Sequence, residues 1–276
     1  MQHANHNAMT LNHYSSLFRA RQPNPDSKLV LLHLNHEQPR TTNVADVWNF
    51  YPLYMLFSDY EKYDYVWRHY ELSDDNNVGV RGDERRYHYL PLGSAWRPVQ
   101  HTANGGVSKP ATGRQIKCSF IGNVKNSNRK TIPTLPPNNR TAMVDALTHE
   151  CNVVHSLANS DLQTRDSLMG ETTFCPCPGG NNFETFRFYE ALEAGCVPVL
   201  VRGEPGLDEF LFAHMLVNDD FFILADNWEH SLELMNDIYY HDDAGLLLGV
   251  MQANGKRWWE DRVELLRIEW KGIIQA

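Results

Sequence analysis

The sequence predicts an α/β protein with mostly parallel sheets that helices cover on both faces. Short apolar runs of strand length alternate with helix-length segments over most of the 276 residues, an alternation typical of parallel sheets. Hydrophobic residues make up 42% of the chain and charged residues 21%, which excludes a disordered protein. The length is enough for one large or two small domains with a substantial core.

The first half of the chain predicts a small unit of three strands. Residues 1–27 are polar and rich in Asn and His, and we interpret them as a loose tail. Apolar or aromatic runs at 28–37, 63–71 and 86–93 predict strands. The segment 43–63 predicts a packed helix broken near Pro52. We assign residues 28–96 to a first Rossmann-like domain.

Residues 97–115 are dense in Gly, Pro, Ser and Thr and show no periodicity, so they predict a linker. A fuller Rossmann-like domain over 116–276 follows. Its predicted strands are 117–123, 151–157, 172–177, 197–201 and 221–225, and its predicted helices are about 139–150, 160–169, 184–194, 228–240 and 243–271. Trp258, Trp259, Leu265, Leu266 and Trp270 are interpreted as the packing stripe of the last helix.

Charge and cysteine content limit the partners and the compartment. A net charge of −9 argues against a nucleic-acid-binding protein. The five cysteines are sparse and odd in number, which favours buried free thiols, with one disulfide in an oxidising compartment as the alternative. Cys175 and Cys177 are separated by one residue, a spacing that does not fit structural zinc, and we predict no metal site.

Neither a membrane span nor a signal peptide is visible in the sequence. The apolar runs fall short of the roughly 18 residues that a span needs, and no basic segment followed by an apolar one opens the chain. We therefore expect either a protein that works where it is made or a sequence whose natural N-terminus, with a membrane anchor, is missing.

Ligands of parallel α/β sheets lie outside the carboxyl ends of the strands, so the loops after the strands are the places to search. After the strand at 117–123, Gly122 and Asn123 allow close approach of a ligand, and Arg129 and Lys130 bring positive charge. The loop matches neither the dinucleotide-binding glycine motif nor the P-loop. A solvated basic turn is the alternative.

A second candidate is the stretch FCPCPGGNNFETFRFYEALEAGCVPVLV, residues 174–201. Thr185 stands near the start of a predicted helix, where free N–H groups and the helix dipole favour a phosphate, and Gly195 is predicted to end this helix. Arg187 and Glu190 are predicted to point away from its apolar face. An ordinary surface ion pair worth a few tenths of a kcal/mol is the alternative.

This stretch resembles the signature of the exostosin family of glycosyltransferases, with its Cys-x-Cys-Pro segment, Gly-rich loop and Phe-Arg-Phe-x-Glu-Ala-Leu run. The segments YDYVWRHYE, YLPLG and FIGN resemble the branch related to ribitol-phosphate xylosyltransferases. The resemblance implies a GT-B fold, in which two Rossmann-like domains face each other across a cleft. The N-terminal domain is reduced in this chain.

The resemblance also implies a donor site in the C-terminal domain. Glu190 falls where such enzymes place the acid that binds the nucleotide ribose, Arg187 falls on the Arg of the Phe-Arg-Phe run, and Thr185 stands where helix-start amides meet the diphosphate. Pro178, Glu184 and Phe186 of the same signature complete the donor-binding set.

The chain departs from the family pattern in one place near the phosphates. Many relatives have Pro-Arg-Gly where this chain has Pro178-Gly179-Gly180, so one cation is missing. Arg129 and Lys130 are the candidates to replace it.

The implied activity is an inverting transfer of a sugar from a UDP-sugar to a hydroxyl of a glycan or glycoprotein. We expect the base among Glu37, Asp59 and His69, which follow or neighbour the first-domain strands, and we expect Arg68 to contact phosphate or acceptor. The UDP-sugar is a substrate and no cofactor is implied as required. Mn²⁺ is left open, since the sequence does not indicate it.

Two other functions stay open. A nucleotide- or carbohydrate-binding module of the same fold without catalysis would bind UDP but turn over no UDP-sugar. A dehydrogenase or methyltransferase is disfavoured by the absence of a Gly-rich dinucleotide turn. The resemblance implies the Golgi lumen or membrane if the N-terminus is truncated, and otherwise we expect a cytoplasmic protein.

Overall fold

The chain divides into two compact units, Met1–Pro91 and Leu92–Ala276. The computed structural model describes residues 30–33, 64–68, 87–93, 108–122, 124, 139–155, 162–179, 185–202 and 220–275. Every strand pairing among these residues is parallel, and helices alternate with the strands of the second unit. The α/β class with parallel sheets predicted from the sequence is therefore confirmed.

The first unit contains a three-stranded parallel sheet in the order β1-β2-β3. Its strands are β1 (Val30–His33), β2 (Tyr65–Arg68) and β3 (Tyr87–Tyr89). Each strand lies inside one of the predicted apolar runs and is shorter than that run. The helix predicted over 43–63 lies outside the described residues.

The second unit contains a five-stranded parallel sheet in the order β5-β4-β6-β7-β8. Its strands are β4 (Ile116–Gly122), β5 (Asn152–His155), β6 (Thr172–Pro176), β7 (Val197–Val201) and β8 (Ile223–Ala225). After β4 the chain forms β5 on one side of β4, and it then forms β6, β7 and β8 in order on the other side. The carboxyl ends of β4 and β6 therefore form the switch point at which such sheets bind ligands.

Five helices accompany this sheet in the described residues. They are α1 (Asn139–Leu147), α2 (Leu162–Gly170), α3 (Phe186–Ala194), α4 (Trp228–Tyr239) and α5 (Ala244–Gln275). Asn227 caps the start of helix α4, because its side chain accepts a hydrogen bond from the His230 N–H at 2.7 Å.

The core of the second unit forms where the strands are buried on both faces. All residues of β6 and β7 are buried, as expected for strands that helices cover from both sides. Phe174 of β6 and Val199 of β7 pack with Leu147 of α1 and Met235 of α4 in one cluster. Burying a side chain of the size of Phe174 contributes about 2–3 kcal/mol.

Helix α3 ends as the sequence predicts, at a glycine in the left-handed conformation. Gly195 has φ 69°, its N–H donates to the Leu192 carbonyl at 3.0 Å, and the Cys196 N–H donates to the Ala191 carbonyl at 2.8 Å. This pair of bonds is the Schellman motif. A Cβ at position 195 would lie 2.7 Å from Gln252 Nε2 and 2.9 Å from an Arg114 nitrogen, so packing also requires a glycine.

Part of the segment predicted as a linker is packed. Arg114 is 5% exposed, and its guanidinium donates to the carbonyls of Met169, Thr172 and Ala194. These carbonyls belong to the last turns of α2 and α3 and to the first residue of β6. Arg114 thus ties residues 108–115 to the carboxyl ends of two helices, where a positive charge is favourable. Residues 97–107 lie outside the described residues.

Two of the five cysteines form a disulfide and the other three are buried free thiols, so each of the two interpretations of the sequence holds for some of them. Cys118 and Cys151 form a disulfide with Cα atoms 4.6 Å apart, because neighbouring β4 and β5 pair Ser119 with Asn152 and so bring the preceding residues together. Cys175, Cys177 and Cys196 are buried free thiols. Burial raises the pKa of Cys177 and of Cys175 well above the usual thiol range, so these two thiols are poor nucleophiles.

The last helix packs through its tryptophans. Trp258 stacks on Phe221 with ring centroids 5.5 Å apart, and Trp259 contacts the Tyr189 ring at 4.9 Å. Leu265, assigned to the same stripe from the sequence, is 51% exposed, and that part of the prediction was wrong. None of the helices in the described part of the chain combines the length and apolarity that crossing a membrane requires.

Candidate functional site

The candidate site lies at the start of α3, beside the carboxyl ends of β4 and β6. Thr185 precedes the helix in an extended conformation, with φ −128° and ψ 146°. Thr185 is 9% exposed, and its side-chain oxygen Oγ1 has no hydrogen-bond partner. The Phe188 N–H of the first turn donates to the Thr185 carbonyl at 3.1 Å. The Thr185 hydroxyl is therefore a buried polar group at the helix start that keeps its hydrogen-bonding capacity unused.

Arg187, in the first turn of α3, is anchored to the end of β4. One terminal nitrogen, Nη2, donates to the Ile121 carbonyl, and the other, Nη1, lies 2.6 Å from Glu190 Oε2 and 3.2 Å from Met169 Sδ. Its Nε is buried and has no hydrogen-bond partner. The guanidinium is thus held in place by three contacts while one of its donors stays unused.

Glu190 lies in a buried ion-pair network. Its side chain is 3% exposed, with Arg165 Nη1 2.9 Å from Oε1 and Arg187 Nη1 2.6 Å from Oε2. Arg165 also donates to Asp166 Oδ1 through Nε at 3.0 Å and Nη2 at 2.7 Å. Two arginines and two acids therefore compensate one another, as buried charges require.

Arg187 and Glu190 were expected to point away from the apolar face of this helix, with a surface ion pair as the alternative. They do pair with each other, but the pair is buried and does not lie at the surface. The polar side of α3 lies against α2, which supplies Arg165. Sequence periodicity did not identify Arg165 or Asp166, because it shows which face of a helix is apolar but not which charged residues of another helix meet it.

The loops after β4 and β6 meet at this edge of the sheet. Gly122 is the last residue of β4, and a Cβ there would lie 2.7 Å from the Phe120 ring. Pro178 and Gly179 follow β6 and are both buried. The Gly179 carbonyl accepts a hydrogen bond from Arg140 Nε at 3.2 Å, and sequence analysis did not single out Arg140.

The structure brings some of the predicted residues together and leaves the others untested. Six of them belong to the edge described above: Gly122, Pro178, Thr185, Phe186, Arg187 and Glu190. Arg68 is the last residue of β2, opposite His33 and Tyr89. The predicted residues that lie outside the described residues are Glu37, Asp59, His69, Asn123, Arg129, Lys130 and Glu184.

A metal ligand set is absent from the part of the chain that the structure describes. Within it, no group of three or more His, Cys, Asp or Glu side chains could hold a metal ion. The described residues of this edge offer two hydrogen-bond donors without a partner, the Thr185 hydroxyl and Arg187 Nε. Such donors suit an anionic ligand.

Comparison with protein families gives a match over most of the chain. A family model described as the exostosin GT47 domain matches residues 11–230. Exostosin-1 from Drosophila melanogaster is 50% identical over 36 residues, which are 13% of this chain. The match spans 5% of the length of that relative.

Comparison with solved structures gives distant likenesses in sequence and a shared fold. Anabaena Alr3699/HepE in complex with UDP has a TM-score of 0.53 and 11% identity, and the match covers 94% of this chain and 76% of that one. The structure of the same protein with UDP-glucose has a TM-score of 0.53 and 11% identity, and the match covers 98% of this chain and 77% of that one. TarM has a TM-score of 0.53 and 7% identity, and the match covers 96% of this chain and 53% of that one. At such low identity the likeness shows the fold alone, the GT-B fold of glycosyltransferases.

Proposed function

We propose that this chain, which belongs to the exostosin GT47 family of glycosyltransferases, transfers a sugar from a UDP-sugar to a hydroxyl of a glycan or glycoprotein, with inversion at the anomeric carbon. Family membership bears out the resemblance found in the sequence. The UDP and UDP-glucose complexes of Anabaena HepE support a nucleotide-sugar donor.

One observation supports the donor site above all others. Two buried polar atoms without a hydrogen-bond partner, Thr185 Oγ1 and Arg187 Nε, lie two positions apart in the chain at the start of α3. An unsatisfied buried group costs about 1–3 kcal/mol, so such a pair needs an explanation. Both groups can donate to the oxygens of a diphosphate, beside helix amides that favour the same anion. We assign the diphosphate of the donor to this point.

The roles of the surrounding residues follow from their contacts. UDP gains negative charge as it leaves, and preorganised N–H donors stabilise that charge. Glu190 holds Arg187 in place at 2.6 Å. Each of its carboxylate oxygens has one arginine partner and therefore keeps capacity to accept a hydrogen bond from a ribose hydroxyl.

For the acceptor half of the reaction we keep the first-unit residues predicted from the sequence. A general base among Glu37, Asp59 and His69 would take the proton of the acceptor hydroxyl as the anomeric carbon is attacked. Arg68 would contact phosphate or acceptor. Its position at the carboxyl end of β2 is the end of a parallel strand at which ligands of α/β sheets bind.

We also propose that the protein works in an oxidising compartment, the Golgi lumen. The Cys118–Cys151 disulfide supports this location, because cytosolic thiols are kept reduced. The family resemblance points to the same compartment, either in the lumen or at the membrane.

The donor site can be tested by removing one hydroxyl. Thr185→Val keeps the volume and branching of the side chain but removes Oγ1, so UDP affinity measured by calorimetry should fall by about tenfold. Thr173→Val is the matched control, since Thr173 Oγ1 is likewise buried and without a partner but lies within β6. It should leave UDP affinity unchanged. Equal affinities for the two variants would refute the assignment.

Catalysis is tested separately from binding. A screen of UDP-sugars and acceptors that measures released UDP should find turnover in the unaltered protein. A binding module without catalysis is the second candidate, favoured by Gly179 at the position where many relatives carry an arginine. UDP binding with no turnover across the panel would select that second candidate.

A further inference from the structure

The first half of helix α5 packs through one side and exposes apolar residues on the other. Leu248 is 3% exposed, and a Cβ at Gly255 would lie 3.0 Å from Leu192, so these positions face inward. On the opposite side, Leu246 is 70% exposed and Val250 is 45% exposed. These two residues are one turn apart and therefore share a face of the helix. The start of α5 thus presents an apolar stripe to solvent.

Acidic and basic side chains stand at opposite ends of this stripe. Asp242 and Asp243 lie at the start of the helix, and Lys256 and Arg257 lie about four turns further on. All four are exposed. Lys256 is 3.7 Å from Glu260, and both side chains are more than half exposed, so that pair contributes little energy. We call the exposed side of residues 242–257 the outer face of α5.

The middle of the outer face is complementary in shape to a second copy of itself. In an antiparallel pair of identical α5 helices that meet between Gly249 and Val250, each residue faces the one equally far beyond that point. Leu246 then faces Ala253, and Gly249 faces Val250, so a large side chain meets a small one in each pair. Gly249 and Ala253 are exposed, and a Cβ at Gly249 would meet nothing within 4 Å. A second helix can therefore approach closely at this point.

The ends of the outer face are complementary in charge in the same arrangement. Asp242 of one copy faces Arg257 of the other, and Asp243 faces Lys256. Because the two copies are related by a two-fold axis, each of these pairs occurs twice. An interface between identical copies requires a surface that matches itself. The outer face meets this requirement in both shape and charge, and the match favours a second copy over an unrelated partner.

We propose that the chain forms a homodimer in which the outer faces of two α5 helices pack antiparallel, centred between Gly249 and Val250. Burial of the apolar middle provides the affinity, and the charged ends fix the direction and the register of the two helices. This inference does not depend on the proposed function, since it uses none of the residues assigned to the donor site.

Sedimentation equilibrium of the whole chain over a range of concentrations measures the dimer. We expect the unaltered chain to dimerise and Val250→Asp, which places two acids at the centre of the interface, to weaken dimerisation by at least about 100-fold. Leu265→Asp is the matched control, since Leu265 is 51% exposed on the same helix but lies beyond the outer face. It should change the dimer affinity by less than about twofold. Thermal unfolding checks that each variant is folded.

A charge swap tests the pairing itself. Asp242→Arg and Arg257→Asp should each weaken dimerisation by about tenfold, because like charges then face each other in two places. The double variant Asp242→Arg/Arg257→Asp should recover the affinity of the unaltered chain to within about threefold. The two positions are about 22 Å apart along one helix, so recovery requires contact between two copies.

Three results would overturn the proposal. An unaltered chain that stays monomeric at every concentration would show that the outer face does not pair copies. A dimer that Val250→Asp leaves intact would place the interface elsewhere. Weakening by both single charge reversals without recovery in the double variant would rule out the antiparallel pairing.

Discussion

At the scale of one residue, the proposed binding role of Thr185 carries a cost in the stability of the free protein. Its hydroxyl is buried without a partner, at a position where an apolar side chain of the same shape would fit. Thr173 shows the same feature inside β6. A hydroxyl that a ligand engages is therefore a cost to the free protein and a benefit to the complex.

Thr185→Val should consequently stabilise the free protein while it weakens UDP binding. Removal of an unsatisfied buried hydroxyl is expected to raise the free energy of unfolding by about 1 kcal/mol, measured by chemical denaturation without ligand. Thr173→Val should give a gain of similar size. A loss of stability in Thr185→Val alone would mean that its hydroxyl has a structural role in the free chain.

The residues of the site that could be found from the sequence are those inside the signature stretch. Thr185, Arg187 and Glu190 were located by the helix-start pattern and the family resemblance. Arg140, Arg165 and Asp166 were not, because they lie on other helices. Arg165, for example, precedes its partner Glu190 by 25 residues in the chain. Nothing in local periodicity specifies such partners.

At the scale of the element, α3 is the rigid support of the proposed site because both of its ends are fixed. Arg187 ties its first turn to the Ile121 carbonyl of β4. Its last turn closes on Gly195 and receives Arg114, which donates to the Ala194 carbonyl at 2.7 Å. Sites on well-packed elements hold their geometry better than sites on loops.

Arg114→Met tests the contribution of this support to stability. The substitution keeps an apolar stem but leaves the carbonyls of Met169, Thr172 and Ala194 without their donor. We expect the free energy of unfolding to fall by about 3–5 kcal/mol, measured by urea denaturation. Arg267→Ala, a surface change, should stay within about 0.5 kcal/mol. A loss below about 1 kcal/mol for Arg114→Met would contradict the role inferred from its contacts.

At the scale of the whole molecule, the disulfide connects the fold with the compartment. Cys118 and Cys151 are 33 residues apart and join neighbouring strands of the larger sheet. Such a link is stable only where the environment is oxidising. The chain should therefore reach its full stability only after exposure to such an environment.

Reduction should lower the stability of the chain measurably. Closing a loop of 33 residues is worth about 3–4 kcal/mol in the chain-entropy treatment, so a reducing agent should lower the unfolding midpoint. The Cys118→Ala/Cys151→Ala variant should start at the lower midpoint and not respond to reduction. An unaltered protein insensitive to reduction would argue against the disulfide and the luminal location together.

The sequence by itself determined the order and type of the described elements and the family. Apolar runs of strand length, helix-length segments and the glycine at 195 depend on interactions between near neighbours, so local patterns reveal them. Predicted strands and helices of the second unit differ from the observed ones by a few residues at their ends, where capping and fraying decide.

Only the tertiary structure decided which side chains meet. Four contacts join elements that are distant in the chain. They are the Cys118–Cys151 disulfide, the hydrogen bonds of Arg114 to two helix ends, the Arg165–Glu190–Arg187 network and the contact of Arg140 with Gly179. They depend on strand order and on the face that each helix turns inward. A local pattern fixes neither, because the same amphipathic sequence can pack against several neighbours.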